Sequence, residues 1–157
     1  MRQGISIKAE LEEISNIYPQ LDKTWFVTLT CSNCGEVTPN MVSIDPCTQI
    51  EIVKATVNFA MKCKLCRREN SVSIETADKQ IKDRTIESEQ WVQMATFDLR
   101  GFEIKDVEFG ENWSIVIPSG KTYSDVDLST GEWSEYDEGS STSISILNME
   151  YKVDKLK

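Results

Sequence analysis

The chain contains no histidine. That one absence removes serine or cysteine triads built on imidazole, histidine-ligated catalytic metal and imidazole general bases. There is also no apolar run near the roughly 18 residues of a membrane span. The opening residues Met1-Arg2-Gln3-Gly4-Ile5-Ser6 show no apolar stretch of the secretory kind, so an export signal is not expected. Basic residues are in short supply, with 17 Lys and Arg against 26 Asp and Glu and a net charge of −9. Such a surface repels a phosphate backbone unless its cations are segregated. No membrane partner is expected, nucleic-acid binding is unfavoured, and a cytosolic or nuclear location is expected.

What remains is an ordinary soluble balance, 39% hydrophobic and 27% charged over 157 residues. A chain of this length can bury roughly 70% of its unfolded surface and should fold without disulfides. In a reducing compartment, paired cysteines read as metal or redox sites. Four of the five cysteines form two matched pairs, Cys31-Ser32-Asn33-Cys34 and Cys63-Lys64-Leu65-Cys66. Each pair puts two sulfurs on one tight turn, and two such turns supply the four ligands of a tetrahedral zinc ion. The set Cys31, Cys34, Cys63 and Cys66 is the candidate site for one Zn²⁺. Gly35 follows the first pair, where the turn calls for positive φ. The 28 residues from Gly35 to Lys62 exceed the roughly 15–20 of a compact zinc ribbon, so more than one hairpin should join the two knuckles. A closed zinc site suits symmetric knuckles between strands, but a rubredoxin-like iron site would use the same ligands. A redox pair would need an exposed thiolate of lowered pKa. Cys47, outside both pairs, reads as an ordinary free thiol.

Period-two alternation dominates the rest. Ile5, Ile7, Ala9 and Leu11 alternate, Trp25, Val27 and Leu29 lead into Cys31, and Val57, Phe59 and Met61 lead into Cys63. Ala95, Phe97 and Leu99 continue the pattern, as do Ile115 and Ile117, Ile144 and Ile146, and Met149, Tyr151 and Val153. The expected architecture is all-β, a sandwich of two sheets with the knuckles at hairpin tips. A polar linker over 78–90, carrying a short helix, divides a zinc-bearing half (1–77) from a metal-free half (91–157) within one β domain. A shift of 88 positions aligns Trp25 with Trp113, Val27 with Ile115 and Leu29 with Ile117. The first knuckle then falls on Ser119-Gly120-Lys121-Thr122, which carries no ligand.

These residues resemble the eukaryotic CXXC-motif-containing zinc-binding protein family, whose function is unassigned. The likeness rests on Lys8-Ala9-Glu10-Leu11-Glu12, Cys31-x-x-Cys34-Gly35-Glu36, Lys62-Cys63-Lys64-Leu65-Cys66-Arg67-Arg68-Glu69-Asn70-Ser71, Arg100-Gly101-Phe102-Glu103 and Trp133-Ser134-Glu135-Tyr136-Asp137-Glu138. The resemblance implies a β-sandwich with one zinc on the same four cysteines. It implies no activity.

Other features divide between structural and functional readings. Lys62, Lys64, Arg67 and Arg68 would offset the −2 charge of a Zn(Cys)₄ centre, or contact nucleic acid. The acidic run Glu132–Glu138 reads as a solvated edge with Trp133 and Tyr136 packed inward, or as a docking face for a basic partner. Asp125 and Asp127 should share one strand face. Trp25 and Trp113 read as core anchors that could also line a cavity. The expected role is a non-enzymatic interaction or adaptor protein using its acidic surface. A thiol-redox or metal-transfer protein with labile zinc is the alternative, and a nucleic-acid module ranks third.

Overall fold

The computed structural model describes residues 1–75 and 79–156. The alternating apolar segments become strands, most cleanly Trp25–Cys31, which buries Trp25, Val27, Leu29 and Cys31 on one face, whereas Arg2–Glu12 is buried on both faces from Gln3 to Ile7. In the first half these are β1 (Arg2–Glu12), β2 (Asn16–Pro19), β3 (Trp25–Cys31), β4 (Val42–Ile44), β5 (Ile50–Ile52), β6 (Ala55–Val57), β7 (Phe59–Lys62) and β8 (Glu69–Ile74). In the second they are β9 (Val92–Arg100), β10 (Phe102–Glu108), β11 (Trp113–Val116), β12 (Thr122–Val126), β13 (Trp133–Asp137) and β14 (Thr142–Leu156). The expected linker holds a 3-10 turn at Lys79–Lys82; its first residue, Asp78, lies outside the described residues.

The chain is all-β. One layer is a six-stranded antiparallel sheet in the order β13-β14-β1-β9-β8-β7. The opposing layer is divided into two three-stranded sheets, β10-β3-β4 and β12-β11-β2, with β5 and β6 as a separate ribbon. Trp25 joins the layers, its ring edge-on to Phe97 at 5.8 Å and to Trp113 at 5.7 Å. Burial of each such side chain contributes up to about 3 kcal/mol. No helix among the described residues is long and apolar enough to cross a membrane.

The strand orders carry an internal symmetry. Exchanging β1 with β9, β8 with β14 and β7 with β13 turns the six-stranded order into its own reverse. Exchanging β2 with β10, β3 with β11 and β4 with β12 turns one three-stranded sheet into the other. The 88-position shift matches only the first part of this relation: it carries Arg2–Glu12 onto 90–100, which contains β9, Asn16–Pro19 into β10 and Trp25 onto Trp113, but it would place β7 within β14 rather than on β13. The halves are interwoven: β2 pairs with β11, and β10 with β3.

Two expectations fail, each for a geometric reason. Trp133 and Tyr136 were expected to pack inward together, as residues three apart do on a helical turn. They lie on a strand, where such positions face opposite sides. Trp133 is half-buried against Tyr123, with ring centroids 5.6 Å apart, whereas Tyr136 is 55% exposed. Asp125 and Asp127 do not share a strand face, because β12 ends at Val126 and Asp125 has φ of 55°. Asp127 instead caps the turn at Ser129.

Candidate metal centre

Both CxxC turns are built alike. In the first, the Gly35 N–H donates to the Cys31 carbonyl (2.8 Å), and the Cys31 N–H donates to the Glu36 carbonyl (2.8 Å). In the second, the Arg67 N–H donates to the Cys63 carbonyl (2.8 Å), and the Cys63 N–H donates to the Arg68 carbonyl (2.9 Å). The fifth residue needs the left-handed region, with φ of 82° at Gly35 and 62° at Arg67. Glycine meets that requirement without steric cost in the first turn. Arginine occupies the strained position in the second, at a cost of about 1 kcal/mol or more.

The first turn caps β3, and the second joins β7 to β8. Hairpin pairing from Phe59↔Val72 to Lys62↔Glu69 delivers Cys63 and Cys66 to a tip. The β9–β10 turn buttresses the first knuckle through the Ser32 N–H to the Gly101 carbonyl (2.9 Å). Arg68 ties the knuckles together by donating to Asn33 Oδ1 at 3.1 Å.

The structure brings Cys31, Cys34, Cys63 and Cys66 together, with every Sγ within 4.8 Å of the others. Across the knuckles, Cys31–Cys66 is 3.7 Å and Cys34–Cys63 is 3.5 Å. A tetrahedron with Zn–S of about 2.3 Å has S···S edges of about 3.8 Å, so the set fits one zinc ion. The separations are far beyond the roughly 2.05 Å of a disulfide, and all five cysteines are free. Cys47 stands apart and exposed, its N–H bonded to Asp45.

The electrostatics also ask for a cation. The Cys34 N–H, helped by the Asn70 side chain, pulls the Cys31 thiol down to about 6. Asn33 and the Arg68 N–H lower Cys66. The Glu36 N–H works in the same direction on Cys34, but burial and the neighbouring sulfurs push that thiol up to about 12. Once some thiols ionise, the others resist, so four thiolates require a compensating charge at their centre. Lys62, Lys64, Arg67 and Arg68 all stand exposed around the second knuckle and supply part of it.

Asn70 is a residue that spacing arguments miss. It is 2% exposed, and its Nδ2 donates to Cys31 Sγ at 3.4 Å. Its Oδ1 finds no hydrogen-bond partner among the described residues and lies against Gly101, where a Cβ would sit at 2.1 Å. Gly101 has φ of 80° and is thus required twice, for conformation and for space. The only sequence clue was the run of residues that follows Cys66. Outer partners of this kind orient metal ligands, and their loss typically costs 10–100-fold in metal affinity. Asn70→Ala is expected to weaken zinc affinity by about that factor, measured by competition with a chromogenic chelator, while the melting temperature of the zinc-saturated protein changes little.

The sequence model of the eukaryotic CXXC motif containing zinc binding protein family matches residues 4–154. The chain belongs to that family. A UPF0587 protein of Dictyostelium discoideum is 49% identical over 158 residues, covering 100% of this chain and 99% of the relative. The human CXXC motif containing zinc binding protein is 30% identical, covering 95% of each chain. The crystal structure of C1orf123 superposes with a TM-score of 0.87 at 27% identity, covering 99% of this chain and 100% of that one. The chain is thus a member of a zinc-binding family, and it carries a four-cysteine cluster of a size that fits a zinc ion.

Proposed function

We propose that this CXXC zinc-binding family member is a non-enzymatic adaptor of the cytosol or nucleus, in which one structural zinc fixes the fold and an acidic sheet edge docks a basic partner. One observation carries the reading. β13 is an outer strand of the six-stranded sheet, and it presents Tyr136 between exposed Glu135 and Glu138. Its inner face is anchored by Trp133 and Asp137. An edge strand offers backbone groups for strand addition, an exposed tyrosine suits an interface anchor, and the acidic flanks select for a cationic partner. The absence of histidine supports the non-enzymatic part.

The test is capture from cell extract with wild type, with the double variant Glu135→Lys and Tyr136→Lys, and with Cys63→Ser. Basic partners should be lost from the edge variant at unchanged zinc content, and their capture should weaken with salt. Undiminished capture by the edge variant would overturn the adaptor reading.

A second reading has its own observation. Cys31 and Cys63 are buried, but Cys34 and Cys66 are partly exposed, so an incoming thiol or chelator could meet the centre from that side. Metal transfer requires release with the fold intact. Zinc lost to a mild oxidant or sub-micromolar chelator without unfolding would favour transfer over the adaptor role.

A further inference from the structure

A cavity of about 690 Å³ opens between the layers, with none of the four clustered cysteines in its lining. It falls within the roughly 300–1,000 Å³ of small-molecule sites. Trp25, Met94, Ile74 and Leu21 supply its apolar wall. Three cations, Arg2, Lys23 and Arg84, line it with a single carboxylate, Glu75. Arg2 and Glu75 neutralise each other through a two-pronged pair at 2.6 and 2.8 Å. Two positive charges remain, in a chain whose net charge is −9.

Those two charges are held by neutral groups. Lys23, 1% exposed, donates to the carbonyls of Phe109 (2.6 Å) and Glu111 (2.7 Å), with its Nζ 4.9 Å from the ring centroids of both Trp25 and Trp113. Arg84 donates to Asn16 Oδ1 (3.2 Å), the Gln93 carbonyl (2.9 Å) and the Ile17 carbonyl (3.2 Å). Neither has a carboxylate within ion-pair distance among the described residues. Glu111 and Asp127 offset part of the field at Lys23, whereas burial alone acts on Arg84. Placing uncompensated charge away from water is costly, and an anion in the cavity would relieve that cost.

We propose that this cavity binds a small organic carboxylate with an aromatic or aliphatic body. The body would lie against Trp25 and Met94, and the carboxylate would sit in the field of Arg84 and Lys23. A carboxylate fits better than a phosphate. Phosphate calls for several free donors, and Arg84 has already committed most of its five N–H groups.

The experiment titrates the zinc-loaded full chain with phenylbutyrate, phenylbutanol and phenylbutylamine, following backbone amide and indole N–H resonances. Phenylbutyrate should shift the Trp25 indole and Thr96 amide signals and bind at least about tenfold more tightly than the alcohol or amine. Thr96→Trp, placed on the cavity wall, should abolish the response. Arg84→Gln should erase the preference for the acid, and Arg84→Lys should retain it. The proposal is overturned if no shift occurs up to about 5 mM, if acid and alcohol bind equally, or if the preference survives Arg84→Gln. Should Arg84→Gln fail to fold, loss of the preference in a folded Arg84→Lys counts equally against it.

Discussion

Removal of zinc, by chelator or by Cys63→Ser, is expected to lower the melting temperature by more than about 10 °C. Structural zinc sites contribute about 10–16 kcal/mol of apparent binding free energy at neutral pH, whereas whole domains are stable by about 5–15 kcal/mol. For a chain of this size, each kcal/mol moves the melting temperature by roughly 2–4 °C. Without the cation, Cys31 meets Cys66 and Cys34 meets Cys63 with no bond between the two knuckles beyond such contacts as Arg68 to Asn33. Hydrogen exchange should therefore rise first in Cys31–Gly35 and Cys63–Arg67, then spread along β3, β7 and β8. Loss of metal will also increase as pH falls, because protons compete for the thiolates. Calorimetry of the fully demetallated protein checks the claim, and an unchanged transition would refute it.

Asp137→Ala is expected to be the most damaging substitution outside the centre. The internal symmetry explains why. The counterparts of the two zinc hairpins, β3–β4 and β7–β8, are β11–β12 and β13–β14. No cysteine lies there. Asp137, 2% exposed, joins them instead. Its Oδ1 accepts from Lys121 Nζ (3.0 Å) and Tyr123 Oη (2.7 Å), both of the β11–β12 hairpin. Its Oδ2 accepts from the Ser140 N–H (3.0 Å) and Oγ (2.6 Å) in the β13–β14 turn. One half gathers its hairpins around four cysteines and the other around a carboxylate. Asp137→Ala should lower the melting temperature by about 5–10 °C and raise exchange at 119–123 and 138–142, with zinc content unchanged.

The pH dependence has a definite sign. Ser140, then Tyr123 and Lys121, hold the Asp137 carboxyl well below the usual carboxylate range. A depressed folded value stabilises above the unfolded value of about 3.9 and fades as pH falls through the folded one. The stability gap between wild type and Asp137→Asn should be full above about pH 5 and narrow only below about pH 4. A gap that closes near neutral pH would show that the carboxylate charge is not what binds the hairpins.

Strand alternation made the fold legible, because a half-buried strand writes its faces into the sequence at every second residue. The Cys-x-x-Cys spacing made the metal centre legible, because both ligands of a knuckle sit on one local turn. What stayed hidden depends on contacts between distant segments. Asn70 is a single polar residue in a strand until β8 brings it to Cys31. Arg67 takes a conformation that its residue type does not advertise. Lys23 looks like an ordinary surface lysine, yet its ammonium is enclosed by two tryptophans and the 109–111 loop. Asp137 sits in an acidic run that reads as solvated. The division of the second layer into two sheets came from strands that each half lends to the other, a choice that local patterns do not encode.

Zinc K-edge X-ray absorption of the purified protein, combined with metal quantification, tests the central claim most directly. The account predicts one zinc per chain with four sulfur neighbours at about 2.3 Å. Oxygen or nitrogen neighbours in place of sulfur, or fewer than four sulfurs per ion, would contradict it.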